Sequence, residues 1–119
     1  MYGIPAKLGD GRDVRILFRH DRFEEPITVT RAYRGNMVEV NAQTVCSIVT
    51  GPREEEEILG LGTALKSIED NFEKEVGREK ALRRAIEAGK RSKKIAVEDS
   101  GTLLAAYFTR PRGQRKVKE

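Results

Sequence analysis

Cys46 and His20 are the only thiol and the only imidazole in the chain, so nucleophilic or metal chemistry would have to be built around one of each. That count excludes a Cys/His zinc site and an internal disulfide. Cys46 sits in Val45-Cys-Ser-Ile-Val49. In such apolar company burial raises a thiol's pKa and suppresses the reactive thiolate, so a core role is expected. His20-Asp21 could move a proton, but no neighbouring nucleophile is indicated. The run Glu54 to Glu57 has the look of a metal box. Read as a strand, its adjacent carboxylates point to opposite faces and form a solvated acidic edge instead. Gly60-Leu61-Gly62 lacks the third glycine of a dinucleotide fingerprint, and no Lys-Ser/Thr follows it. The expectation is a protein that is not an enzyme and holds neither metal nor cofactor.

Binding chemistry is better represented. Arginine outnumbers lysine by 14 to 9, and its planar fork of donors suits phosphate and carboxylate. Tyr33-Arg34, Phe72, and Tyr107-Phe108 followed by Arg110 and Arg112 each place an aromatic ring near a guanidinium. That pairing can stack a base and neutralise a phosphate. The plainer alternatives are that Phe72 and Tyr107 are core and that Arg110 and Arg112 belong to a solvated tail. The formal charge of +4 is unevenly spread: residues 1 to 50 carry +1, 51 to 70 carry −4, 71 to 100 carry +3 and 101 to 119 carry +4. A localised basic face follows, in the second half of the chain.

The elements that must position these groups fit one domain. With 119 residues, 38% hydrophobic and no Trp, the core must be made of Val, Ile, Leu and Ala. Val14, Ile16 and Phe18 alternate with Arg15 and Arg19, the period of a half-buried strand. After a polar loop from His20 to Pro26, residues 27 to 33 read as a second strand. Gly35-Asn36 suits a hairpin into a third, at 37 to 41, and residues 44 to 50 form a fourth, ended by Gly51-Pro52. Residues 54 to 66 read as a fifth strand. Leu59, Leu61 and Leu65 would share one face, with Gly60 and Gly62 on the other to permit curvature or close approach of another backbone. Asp70 with Glu73 forms a capping box for an amphipathic helix to about Gly89, whose Gly77 implies a tight contact with the sheet. The apolar run 102 to 109 reads as a C-terminal strand. The expected fold is therefore α+β: a small antiparallel sheet or SH3-like partial barrel of about five strands, one main helix over about 70 to 89, and a final strand. Residues 1 to 111 make the domain and 112 to 119 a basic flexible tail. No apolar run reaches the roughly 20 residues that cross a bilayer, and Met1 to Asp10 has no apolar signal-peptide centre, so a cytoplasmic protein without a membrane partner is expected.

The segment Gly62-Thr-Ala-Leu-Lys-Ser-Ile-Glu-Asp70-Asn-Phe72-Glu-Lys-Glu-Val-Gly77-Arg78-Glu-Lys-Ala81-Leu-Arg-Arg84-Ala85 resembles a pattern in small proteins of phages and mobile elements. There a strand with a small residue leads into Asp-x-Phe-x-x-x-x-Gly-Arg-x-x-Ala-x-x-Arg-Ala on a helix. Among these it is most similar to the Thoeris anti-defence sponges, over roughly residues 58 to 110. The resemblance implies an oligomer without catalytic activity. Such an assembly would bury a cyclic ADP-ribose signal, or in some members a cyclic oligonucleotide, and so starve an immune effector in the host cytoplasm. Phe72 and Arg78 match the helix motif and join Tyr33, Arg34, Phe108, Arg110 and Arg112 as expected ligand-binding residues. Two other readings stay open: a basic module that binds nucleic acid, and an inhibitor that docks on a host protein.

Overall fold

The computed structural model describes residues 3–30, 37–67 and 74–109, with the side chains of Thr30, Arg53, Ser67, Lys74 and Glu75 left aside. Strands β1 (Ile4–Lys7), β2 (Asp13–Thr30), β3 (Met37–Thr50) and β4 (Glu57–Ser67) form one antiparallel sheet whose order in space is their order in the chain. The sheet curls into a half-barrel and is accompanied by two helices, α1 (Lys74–Arg91) and α2 (Ser100–Phe108).

The α+β class agrees with the sequence reading, but the strand count does not. His20 to Pro26 is no loop: β2 runs unbroken through it. The disruption is confined to a register shift between Arg22 and Ile27, where the ladder to β3 skips residues 23 to 26. β3 likewise continues through Asn41 to Gln43, with a register shift against β4 between Val40 and Ala42. Two long strands therefore replace four short ones. Local turn chemistry lost to cross-strand pairing because a bulge accommodates Pro26 and Asn41 without ending the ladder. The expected Gly35-Asn36 turn, the Asp70–Glu73 capping box and the 112 to 119 tail lie outside the described residues.

The run 102 to 109 is a helix, not a strand. Leu103 and Tyr107, four residues apart, are fully buried on one side of α2, whereas Ala105 and Phe108 are exposed. That is a helical period, and α2 lies against β1 and the ring of Phe18, 5.6 Å from that of Tyr107.

One face of the sheet carries the core. Val14, Ile16, Cys46 and Ile48 meet Ala81, Leu82, Ala85 and Ile86 of α1 and Leu103 and Tyr107 of α2. On β4 the two glycines do what the sequence reading expected. A Cβ on Gly60 would lie 2.2 Å from the carbonyl oxygen of Ala85, and one on Gly62 would lie 2.3 Å from that of Ala81. Helix main chain thus rests directly on strand main chain. The motif residues Gly77, Ala81 and Ala85 recur every four positions and are buried, so the motif reports helix-on-sheet packing. Leu61 and Leu65 occupy the opposite, exposed face as expected, but Leu59 turns inward because the ladder shifts between Ile48 and Val49, with Ile48 opposite Gly60 and Val49 opposite Ile58.

Helix α1 passes Gly89 and ends at Arg91. The left-handed residue is Lys93, at φ 65°. Lys93 N–H donates to Lys90 O at 3.1 Å and Lys94 N–H to Gly89 O at 3.0 Å, the paired bonds of a Schellman ending. Gly89 serves instead as a contact point, its Cα against Ile95 and the carbonyl of Leu59.

Candidate functional site

Strand pairing arranges the helix-side face in rows of side chains. The first row is Ile16, Ile48 and Gly60; the second Phe18, Cys46 and Gly62; the third His20, Thr44 and Ala64; the fourth Arg22, Ala42 and Lys66. Along one face the chemistry passes from aliphatic to hydroxyl and imidazole, and then to guanidinium and ammonium. Helix α1 runs antiparallel to β4, with Gly89 and Ala85 over Gly60 and Ala81 over Gly62. The third and fourth rows therefore lie toward its N-terminal end.

A cleft of about 310 Å³ opens over those two rows, lined by His20, Asp21, Arg22, Ala42, Gln43, Thr44 and Lys66. His20 Nδ1 is 2.9 Å from the buried Thr44 hydroxyl, which fixes the ring against the floor. Arg22 is exposed and has no hydrogen bond or ion pair among the described residues. By strand alternation the side chains of Asp21 and Gln43 belong to the opposite face. There Gln43 Nε2 donates to Asp21 Oδ2 at 2.8 Å, and Arg19 donates to both Asp21 oxygens at 3.0 to 3.1 Å. Those hydrogen bonds, from Arg19 first and then Gln43, hold the Asp21 carboxyl below the usual carboxylate range. The negative charge behind the cleft is thus matched by Arg19, leaving the open side cationic.

The arrangement suits an anion. Arginine supplies a planar fork, lysine a point charge, and imidazole an N–H donor. A hydroxyl beside an imidazole also has the form of a nucleophile and its base. Thr44 is 6% exposed, at the floor of the cleft. Burial pushes the Cys46 thiol up to about 12, in keeping with its expected core role. No group of three or more metal-ligating side chains occurs among the described residues. Of the four glutamates, Glu54 and Glu55 lie in a 3-10 turn, Glu56 pairs with Arg15 at 3.3 Å and Glu57 with Lys94 at 3.6 Å. A second cleft, of about 280 Å³, lies between α1 and α2. There Arg83 pairs with Glu79 and Lys90 with Glu87.

Two expected ligand-binding residues fall within the described regions. Arg78 is half-buried on α1, and Phe108 ends α2, 46% exposed and edge-on to Tyr107 at 5.2 Å. Neither lines the cationic cleft. Tyr33, Arg34, Phe72, Arg110 and Arg112 lie outside the described residues. The sequence reading makes His20 and Arg22 part of a loop and so does not bring them together with Lys66. The signal was the period of two itself, which continues from Val14, Ile16 and Phe18 to His20 and Arg22, and on β4 from Gly60, Gly62 and Ala64 to Lys66. No helix among the described residues is long and apolar enough to cross a membrane. No protein-family model matches the chain, and no curated protein or solved structure matches it.

Proposed function

We propose that this protein binds a phosphate-bearing, nucleotide-derived signalling molecule and withholds it without cleaving it. The cleft over Arg22, Lys66 and His20 supports that reading. It is a concave, cationic surface built on paired strands, with a buried hydroxyl at its floor and no carboxylate side chain from those two rows. Rigid elements hold such groups more accurately than loops do. A cyclic ADP-ribose isomer or a cyclic oligonucleotide, the ligands implied by the resemblance to anti-defence sponges, presents the phosphate oxygens that such a surface attracts. The cleft is open to solvent on a single chain, and a second copy of the protein would close it over a ligand.

Calorimetry and thermal-shift measurements against a panel of cyclic ADP-ribose isomers and cyclic oligonucleotides test this reading. One ligand should raise the melting temperature by mass action and be recovered chemically unchanged after denaturation. Absence of binding across the panel, or recovery of a cleaved product, would overturn it. A second reading rests on Arg91 and Lys93, exposed cations beyond the charge pairs of α1 that could meet a nucleic-acid backbone. Under it, affinity for single strands or duplexes should fall steeply with salt.

A further inference from the structure

The two edges of the sheet are protected very differently. β1 is four residues long and carries Pro5, which cannot donate to a ladder. β4 is eleven residues long and has no proline. It exposes Ile58, Leu61 and Leu65 on its outer face, each between 40% and 51% accessible. A long, apolar edge strand is a template for pairing with another chain.

A side chain of α1 stands in the way. Arg84 Nη1 donates to the carbonyl oxygen of Thr63 at 2.7 Å, in an exposed setting, midway between Leu61 and Leu65. The tight seat of α1 on the strand delivers this side chain. Gly62 lies so close to the helix that a Cβ there would sit 2.8 Å from the carbonyl carbon of Arg84.

We propose that Arg84 is an edge guard, keeping β4 from pairing with β4 of a second copy of this chain. The strand is self-complementary about the guarded position. In a two-fold antiparallel pairing centred on Thr63, Leu61 of one copy lies opposite Leu65 of the other, and Leu65 opposite Leu61. Directly opposite residues share a face, so the four leucines would form one apolar cluster on the outer side. Gly62 would face Ala64, leaving room where the two sheets join. The exchange at the axis would be Thr63 N–H to Thr63 O in both directions, and that oxygen is the one Arg84 occupies. Two guanidiniums would also meet at the axis, and like charges there oppose the pairing. Loss of the guanidinium removes both obstacles while leaving the apolar pairs intact.

The test compares the full-length wild-type chain with Arg84→Ala and Arg84→Met by light scattering coupled to size exclusion, over about 5 to 200 µM. Circular dichroism checks that each variant is folded; Arg84 is exposed, so both should be. Both variants should gain mass relative to wild type by a factor of about two or form larger strand-paired species. Adding Leu61→Lys to either should restore the wild-type mass. A folded Arg84 variant with the wild-type mass at every concentration would overturn the proposal. So would a mass gain that Leu61→Lys leaves unchanged, because the association would then lie elsewhere. The change from wild type is the readout, so the result is independent of any assembly through another surface and of ligand binding at the cleft.

Discussion

The two ends of one sheet face contrast sharply. At Gly60 and Gly62 the face is so completely filled that not even a methyl group fits, because helix main chain rests on strand main chain. Two rows further along the same strands, at Arg22, Ala42 and Lys66, the face is open and charged. The difference shows how a small chain divides one surface. The smallest residues bring the helix down at one end, while an arginine and a lysine line the cleft at the other. Stability and binding are thereby assigned to neighbouring, separable positions.

Breaking the closed end should have the largest effect. Gly62→Ala places a Cβ 2.3 Å from main-chain atoms of Ala81 and Ala85 that no rotamer change can move. The expected loss is about 3 kcal/mol or more, which lowers the melting temperature by roughly 10 °C in a domain of this size. A thermal melt within 2 °C of wild type would show that the helix can lift without cost. Gly101→Ala is the contrasting control: a helical glycine in α2 with nothing within 4 Å of an added Cβ, where a gain of up to about 1 kcal/mol is expected.

At the open end the effects should appear in binding alone. Arg22→Ala and Lys66→Ala should each weaken the phosphate-bearing ligand by about ten-fold or more, from loss of a charge-assisted contact of about 1.5 to 3 kcal/mol. The melting temperature of Arg22→Ala without ligand should move little, since changes at exposed positions usually stay within about 0.5 kcal/mol. Calorimetry beside differential scanning fluorimetry separates the two ends. A cleft variant that unfolds the protein, or one that leaves affinity intact, would erase the division.

A smaller effect should come from the exit of the closed-end helix. Lys93 holds φ 65°, a conformation that favours glycine. Lys93→Gly should stabilise the chain by about 1 kcal/mol, visible as a denaturant midpoint shift without a change in slope. The smallest concerns the back of the cleft. Arg19, then Gln43, hold the Asp21 carboxyl below its ordinary range, so this contribution to stability is present above about pH 4, the unfolded value. It is lost as pH falls through the lowered folded value. A carboxyl NMR titration should show Asp21 moving back toward the ordinary range in Arg19→Ala, and an ordinary value already in wild type would remove the clamp.

The closed end was legible in the sequence and the open end was not, for a physical reason. Gly60 and Gly62 are unusual in a strand and Gly77 in a helix, and such glycines announce close contact. His20 and Arg22 lie far from Lys66 in the chain, and only the pairing register brings them together. The same limit hid the length of β2 and β3, because Pro26 and Asn41 read locally as breaks and only a partner strand could carry the ladder past them. The final helix differs from the expected strand for another cause. Thr102 to Thr109 is apolar at nearly every position, so periodicity could not decide between strand and helix until Leu103 and Tyr107 found the same side.

The strand order also has a consequence in time. Each strand pairs with its neighbour in the chain, so the sheet can assemble hairpin by hairpin with little loop to close at any step. The seat for α1 exists only after β4 has joined, because Gly60 and Gly62 must already lie flat beside β3. Docking of the helix on the two glycines is therefore the step that depends on all the sheet pairing before it.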